Sequence, residues 1–201
     1  MKDGRIIVFL KAPRPGFVKT RIAQQLDAEG AAAIYQVLVG ITLSTLQARS
    51  DVELRFAPDD ASAELGSWRR PGWRIRPQGD GDLGDRIGRA FGEAFSDGAD
   101  RVLILGTDCP EMEVSDVDEA FRALERHEVV LGPALDGGYW LLGTREARPE
   151  LVRDIPWSTE RVFETTLLRA REAGLRVAAL RRLRDVDTLE DWRTWLRERP
   201  W

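Results

Sequence analysis

The chain has 201 residues, 43% of them hydrophobic, and a formal net charge of −4 from 30 basic and 34 acidic side chains. This length predicts one domain with one core, and the acidic balance gives no support for binding to nucleic acid or to an anionic membrane. The single cysteine, Cys109, and the single histidine, His127, exclude an internal disulfide and a thiolate-rich or multi-histidine metal site. A bound metal would therefore have oxygen ligands.

The first residues show no targeting pattern. Residues 1–5 lead into a short apolar run that is too brief for a membrane-spanning helix and lacks the flanks of a secretory signal. We therefore expect a cytoplasmic protein that binds neither nucleic acid nor a membrane.

Short apolar runs alternate along the chain with longer stretches of helical spacing. We predict strands at 6–10, 52–56, 73–76, 102–105, 129–131, 139–142 and 176–180, and helices at 31–46, 84–95, 115–125 and 160–172. Ser115 and Asp118 resemble a capping box at the start of the third helix, and Thr188 is the expected N-cap of a final helix. This alternation predicts an α/β fold, a single domain with a mostly parallel central sheet flanked by helices.

Two of these segments carry further expectations. In the second strand, hydrophobic residues alternate with Glu53 and Arg55, which predicts one buried face and one exposed face that points away from any ligand. The stretch 70–84 is rich in glycine, proline, arginine and aspartate. We interpret it as a loop region of the active site rather than as a domain linker.

The first strand is followed by the segment APRPGFVKTR, residues 12–21. Lys11, Arg14, Lys19 and Arg21 would surround a phosphate chain, and the N-terminus of a following helix would add free backbone N–H groups. Gly16 would let the backbone approach the ligand closely. The alternative is a solvated basic turn, and composition alone does not decide between the two.

Asp108 follows the apolar run 102–105, which is typical of a strand buried on both faces. A carboxylate at the end of such a strand suits a hard cation such as Mg²⁺, which prefers one or two carboxylates and phosphate oxygens. The alternative is an aspartate that caps the following turn. Cys109, beside it, has no histidine nearby in sequence and is not predicted to be a nucleophile.

More aspartates follow later strands. Asp136 precedes the flexible pair Gly137 and Gly138, so it either braces that turn or faces a ligand. Asp187 could complete a metal site opposite Asp108, while Asp185 or Asp187 could equally serve the N-terminus of the final helix, so the sequence leaves open which of the two binds the metal. All of these acids fall at strand ends, where a ligand crevice of an open α/β sheet would collect them.

Six motifs together resemble those of the DUF2064 family, a group of glycosyltransferase-A-like proteins within the nucleotide-diphospho-sugar transferase superfamily, also named radical-SAM/selenodomain-associated transferases. In chain order these are FLKAPRPGFVKTRIA, GDLGDRIGRAF, LGTDCP, GPALDGGYWLLG, PWST and DVDTLEDW. The resemblance extends over nearly the whole chain. It implies one Rossmann-like GT-A domain over residues 1–201.

The resemblance also implies a set of site residues. Lys11, Lys19 and Arg21 would face the phosphates of a nucleotide, and Asp108 with Asp187 would hold Mg²⁺ or Mn²⁺. The other nucleotide-binding residues would be Ala12, Pro13, Gly16, Thr20, Gly84, Asp85 and Thr107, and the acceptor-binding residues would be Asp136, Gly137, Gly138 and Trp157.

The favoured reaction is nucleotidyl transfer, in which a phosphorylated small-molecule acceptor attacks the α-phosphorus of a nucleoside triphosphate and pyrophosphate leaves. It requires positioning and neutralisation of charge more than a protein nucleophile. Lys19 and Arg21 would stabilise the departing pyrophosphate. Lys11 would reach the α- or β-phosphate.

Glycosyl transfer from a nucleotide sugar is the alternative. GT-A glycosyltransferases usually carry Asp-x-Asp after the central strand, whereas Pro110 stands at the third position here; Asp136 or Glu111 would then be the base for the acceptor. A nucleotide-binding protein without catalysis is a third hypothesis. An exposed edge strand could also pair with a second copy to form a homodimer.

Overall fold

The computed structural model describes residues 4–198 as an α/β arrangement around one sheet. The strands are β1 (Gly4–Lys11), β2 (Val52–Ala57), β3 (Arg74–Pro77), β4 (Arg101–Leu105), β5 (Val129–Pro133), β6 (Tyr139–Thr144) and β7 (Val177–Ala179). The helices are α1 (Thr20–Ala23), α2 (Ala28–Thr45), α3 (Leu83–Ser96), α4 (Val114–Ala123), α5 (Val162–Glu172) and α6 (Leu189–Glu198), with short 3₁₀ segments at Ala61–Trp68 and Pro149–Leu151.

The seven strands lie in the order β3-β2-β1-β4-β6-β5-β7. β1 pairs in parallel with β2 and β4, β2 with β3, and β5 with β7, while β6 runs antiparallel to both of its neighbours. The mostly parallel sheet flanked by helices is therefore confirmed. β6 runs opposite to the other six strands. The loops that follow those six strands therefore lie at the same edge of the sheet as the start of β6.

The expectation that β2 has an exposed face is wrong. Glu53 is fully buried and Arg55 is 1% exposed. Glu53 accepts from Arg55 Nε at 2.5 Å and from Arg5 Nη1 at 3.2 Å, and Arg55 Nη2 pairs with Glu93 of α3 at 2.6 Å. The polar residues alternate along β2 because they form an internal ion network beneath α3, which satisfies charges that would otherwise be costly to bury.

The helix termini confirm one predicted cap and correct another. Thr188 caps α6: Asp191 N–H donates to Thr188 Oγ1 at 3.2 Å, and Thr188 N–H donates to the Asp191 carboxylate at 2.7 Å. The capping box of α4 is formed by Glu113 and Asp116 instead of Ser115 and Asp118. The helix begins earlier than predicted because Asp116 accepts the Glu113 N–H at 2.7 Å.

Hydrophobic side chains pack against both faces of the sheet, and α6 packs against α2 through Leu189, Trp195, Ile34 and Leu38. This contact matters for the site because it fixes the chain segment that precedes α6. Within residues 4–198, no helix combines the length and the apolar character that crossing a membrane requires.

Candidate nucleotide and metal site

The strand order creates a crevice between the carboxyl ends of β1 and β4. From β1 the chain continues to one side of the sheet through β2 and β3, and from β4 it continues to the other side. In open α/β sheets ligands bind at such a switch point. The last paired residues of β1 and β4 are Val8 and Leu105. Beyond this pair β1 continues as far as Lys11, and the two strands diverge.

The loop after β1 lies along this crevice. Gly16 has φ of 80° and Lys19 has φ of 47°, so both have left-handed backbone conformations. The charge of Arg14 is already neutralised by two acids, because its guanidinium pairs with Glu64 at 2.6 Å and with Asp60 at 3.1 Å. The loop therefore has one unpaired cation fewer for a phosphate chain than its composition indicated.

The remaining basic side chains of the loop differ in burial. Lys11 is exposed, and Arg21 is 66% exposed while its guanidinium approaches Asp187 at 3.4 Å. Thr20 begins α1, which has only four residues, so the dipole of this helix contributes little to anion binding. The nearby Ala12 is buried and Pro13 is half-buried; their assignment to the nucleotide site stays a prediction.

Lys19 joins the two aspartates that were predicted to hold a metal. Its side chain is 6% exposed, and Nζ lies 2.8 Å from Asp108 Oδ1 and 3.0 Å from Asp187 Oδ1. Burial alone would lower the pKa of Lys19, but the negative charges of Asp108 and Asp187 outweigh it and raise that pKa, so the ammonium stays charged. In addition, Val186 N–H donates to the Asp108 carbonyl at 2.9 Å, which ties the two chain segments together.

Asp187 also belongs to a second group of acids. Carboxylate oxygens of Asp136, Asp185 and Asp187 lie within 4.8 Å of one another. Burial, together with the nearby charge of Asp136 and of Asp187, raises the pKa of Asp185 to about 6. Such closely placed anions repel one another, and hard oxygen donors at this spacing fit Mg²⁺ or Mn²⁺. The residues present therefore fit a divalent ion. Asp136 is a further candidate ligand that the sequence analysis had not considered for the metal, and Asp185 is the residue that it left open against Asp187.

The loop between β5 and β6 places Asp136 in this group. Asp136 Oδ1 accepts the Gly138 N–H at 2.8 Å, and Asp136 N–H donates to Asp185 Oδ1 at 3.3 Å. Gly137 has φ of 89°, and a Cβ there would lie 2.2 Å from the Glu160 carbonyl oxygen. Asp136 therefore braces the turn and also lies beside the other acids; that it faces a ligand stays a prediction.

Gly84, Asp85 and Trp157 lie at the amino end of α3. Asp85 accepts the Asp82 N–H at 3.1 Å in a capping box, and a Cβ on Gly84 would lie 2.1 Å from the Val152 carbonyl oxygen and 3.1 Å from Trp157 Nε1. These contacts give Gly84 and Asp85 structural roles. Their assignment to the nucleotide, and that of Trp157 to an acceptor, stay predictions.

Two residues that the sequence analysis missed hold the end of β1. Tyr35 Oη accepts the Lys11 N–H at 2.7 Å, and Gln78 Nε2 donates to the Leu10 carbonyl at 2.9 Å and to the Arg55 carbonyl at 3.0 Å. Both side chains are buried. Tyr35 stands within an amphipathic helix and Gln78 in a polar loop, so no local signal in the sequence separates them from their neighbours.

Comparison with known proteins places this geometry in a family. Residues 42–159 match the DUF2064 family, which is described as an uncharacterized protein conserved in bacteria. A protein of Desulfovibrio desulfuricans G20, proposed to be a nucleotide-diphospho-sugar transferase, is 34% identical, with 98% of this chain and 87% of that one covered and a TM-score of 0.90. A search among curated proteins found no match.

More distant structures share the fold. The CTP complex of CMP:2-keto-3-deoxy-manno-octonic acid synthetase is 13% identical, with a TM-score of 0.62 over 98% of this chain and 99% of that one. The manganese complex of Rv0371c from Mycobacterium tuberculosis H37Rv is 15% identical, with a TM-score of 0.57 over 98% and 100%. The chain belongs to the DUF2064 family and has the fold of the nucleotide-diphospho-sugar transferases.

Proposed function

We propose that the protein is a nucleotide-utilising transferase that requires a divalent metal ion, and that its reaction is nucleotidyl transfer. The observation that carries this proposal is the contact of Lys19 Nζ with both Asp108 and Asp187, next to the carboxylates of Asp136 and Asp185. Cations and oxygen ligands meet there at the switch point of the sheet, where nucleotide phosphates would need both.

On the phosphate side, the chain supplies charge without a nucleophile. Lys11 is exposed at the end of β1 and free to reach an α- or β-phosphate, while Lys19 and Arg21 would stabilise the charge of departing pyrophosphate. Cys109 is unsuited to attack because burial and the charge of Asp108 raise its pKa well above the usual value. Direct attack by the acceptor therefore fits the side chains better than a covalent intermediate.

On the metal side, Asp187 with Asp136, Asp185 or Asp108 would hold Mg²⁺ or Mn²⁺. A bound divalent ion would neutralise phosphate charge and help to fix the geometry of the reacting groups. The carboxylates themselves orient this end of the site, because Asp136 is fixed by its own turn and Asp187 by Lys19. The acceptor would enter beside the 136–138 loop and Trp157.

Glycosyl transfer from a nucleotide sugar is the second candidate, and the description of the 34% identical relative from D. desulfuricans favours it. Against it, Pro110 interrupts the Asp-x-Asp pattern after β4. Asp185 and Asp187 do have that spacing, but they follow β7. In this reaction Asp136 or Glu111 would act as the base for the acceptor.

Thermal shift with a panel of nucleotides tests the proposal. Nucleoside mono-, di- and triphosphates and nucleotide sugars are each added with Mg²⁺, with Mn²⁺ and with EDTA, because a ligand that binds the native state raises its stability by mass action. We expect one triphosphate to stabilise the protein strongly, and only with metal. Pyrophosphate release in the presence of phosphorylated acceptors then measures turnover.

Asp108→Asn is the matched variant for this screen. It keeps the shape of the side chain but removes one of the two charges that contact Lys19, so we expect a folded protein without metal-dependent binding of the triphosphate. Unchanged metal-dependent affinity would remove Asp108 from the site. Stabilisation by a nucleotide sugar alone would favour glycosyl transfer, and a triphosphate that binds without turnover of any acceptor would favour a non-catalytic role.

A further inference from the structure

The end of β1 lacks a strand partner on its β4 side. Successive amides of a strand point to opposite neighbours, and Ala12 N–H donates to the Ala57 carbonyl of β2 at 2.8 Å. Lys11 N–H therefore points towards β4, which has already diverged after Leu105, and Gly106 N–H donates to the Trp140 carbonyl of β6 instead. A partly buried amide in this position requires another acceptor.

Tyr35 supplies that acceptor from α2. Its hydroxyl oxygen lies 2.7 Å from the Lys11 nitrogen, and the Thr107 side chain lies close enough to interact with it. The hydroxyl thus lies against both chain segments that flank the crevice. It stands between Lys11, the exposed cation of β1, and Thr107, the residue that precedes Asp108.

The surroundings of Tyr35 keep the hydroxyl neutral and in place. The residue is 5% exposed, and its ring meets Trp68 edge to face with the centroids 6.3 Å apart. Burial raises the pKa of Tyr35, with a smaller contribution from the charge of Asp108, so the phenol remains protonated at neutral pH. A neutral hydroxyl can accept one hydrogen bond and donate another at the same time.

We propose that Tyr35 is a positioning residue of the nucleotide site. Its hydroxyl holds Lys11 and Thr107 at a fixed separation, so that the Lys11 ammonium and the Asp108 carboxylate face the same phosphate chain. Tyr35 itself lies beneath the crevice and does not contact the ligand. The identity of that ligand rests on the proposed function, whereas the bond to Lys11 does not.

Tyr35→Phe removes only the hydroxyl and leaves the ring against Trp68, so the variant should fold. Thr42→Val is the matched control: it removes another buried hydroxyl from the same helix, about 10 Å away by helical rise. Its Oγ1 donates to the Leu38 carbonyl of the same helix. Two quantities are measured on each protein: hydrogen exchange of the Lys11 amide by NMR, and the Mg²⁺-dependent affinity for the triphosphate that the nucleotide screen selects.

For Tyr35→Phe we expect exchange of the Lys11 amide to accelerate at least about tenfold and the triphosphate affinity to fall about tenfold, as for a lost buried hydrogen bond. Thr42→Val should change neither quantity. Unchanged exchange at Lys11 would overturn the proposal. Faster exchange with unchanged triphosphate affinity would also overturn it, because the bond would then be structural alone.

The outcomes separate this proposal from the proposed function. If no nucleotide stabilises the wild-type protein, the proposed function fails, while exchange of the Lys11 amide still decides whether Tyr35 holds the end of β1. If Tyr35→Phe does not fold, Thr107→Val removes the hydroxyl group that neighbours Tyr35 at nearly constant volume. An unchanged triphosphate affinity in that variant would overturn the proposal as well.

Discussion

The Lys19 ammonium and a divalent ion would compete for the same carboxylate. Nζ contacts Asp187 Oδ1 at 3.0 Å, and Asp187 is also the residue shared with the group formed by Asp136 and Asp185. Without a bound metal, the lysine neutralises part of this acidic region. In the proposed function, the phosphates of a bound nucleotide would offer the ammonium a second partner, and a bound metal would replace it at the acids.

Substitution of Lys19 by methionine should separate these two roles. We expect Lys19→Met to weaken triphosphate binding by about tenfold or more. Monophosphate binding should weaken less, because Lys19 would neutralise phosphates beyond the one that a monophosphate has. We also expect Mn²⁺ to bind the nucleotide-free variant several-fold more tightly, since removal of a nearby positive charge favours a cation. Calorimetry with Mn²⁺ alone and with each nucleotide measures both effects.

Lys11→Met is the comparison for this experiment. Lys11 ends β1, directly before the loop that carries Lys19, and forms no ion pair with the acids within residues 4–198. It should lower triphosphate affinity and leave Mn²⁺ affinity unchanged. Equal losses of mono- and triphosphate binding in Lys19→Met, or weaker Mn²⁺ binding, would contradict the role assigned to Lys19.

Among the interactions between elements, one ion pair anchors the segment after β7, which carries Asp185 and Asp187. Arg181, which follows β7, donates to both carboxylate oxygens of Asp116 in α4, at 2.6 and 2.7 Å, and to the Glu111 carbonyl at 2.8 Å. Asp116 is 4% exposed. The chain from Arg181 to Asp187 is therefore held against α4 before it enters α6.

Asp116→Asn should destabilise the protein in a pH-dependent manner. Burial alone would raise the pKa of Asp116, but hydrogen bonds from Arg181 and from Glu113 N–H lower it below the usual value. A lowered pKa in the folded state stabilises the protein above the unfolded pKa of about 3.9, and this contribution disappears as the pH falls through the folded value. We expect the free energy of unfolding to fall by about 1–2 kcal/mol at pH 7, and this difference from the wild type to vanish in acid.

Urea denaturation of both proteins between pH 7 and about pH 2 measures this difference, because the contribution is lost only below the unfolded pKa. Asp118→Asn is the control, because Asp118 lies on the same helix and pairs with Arg49 at 2.8 Å but is 53% exposed, so its loss should cost less. If the difference in the free energy of unfolding between the wild type and Asp116→Asn stayed constant with pH, the carboxylate charge would not be the cause of the destabilisation.

The elements also show why some of the structure could be predicted and some could not. Hydrophobic periodicity located all seven strands, because burial on a strand or helix leaves a local pattern. It failed at Glu53 and Arg55, which resemble an exposed face unless their partners on β1 and α3 are known. Likewise, Lys19 and Asp187 are 168 residues apart, and only the fold brings them together.

For the molecule as a whole, the site should cost stability in the absence of its ligands. Asp136, Asp185 and Asp187 bring three carboxylates within 4.8 Å of one another, and Lys19 contacts only the last of them within the described chain. Their repulsion opposes folding until a cation binds. Function and stability therefore place opposite demands on these residues.

Asp185→Asn tests this trade-off at pH 8, where Asp185, with a pKa of about 6, is ionised in the wild-type protein. The amide oxygen can still accept the Asp136 N–H, so the change is mainly one of charge. With EDTA we expect the melting temperature to rise by about 2–4 °C, as for a gain of about 1 kcal/mol in a chain of this size. The further rise on addition of Mg²⁺ should shrink or disappear, because the metal loses a charged ligand.

Glu119→Gln removes an exposed charge from α4 outside the acidic group, and it should alter neither melting temperature nor the response to Mg²⁺. A lower melting temperature of Asp185→Asn in EDTA would mean that the wild-type carboxylate stabilises the fold, and the acids would then be structural. An undiminished Mg²⁺ response in this variant would place the metal elsewhere, with Asp108 and Asp187 as the remaining pair. The two readouts together thus distinguish a three-carboxylate metal site from the two-aspartate site that the sequence predicted.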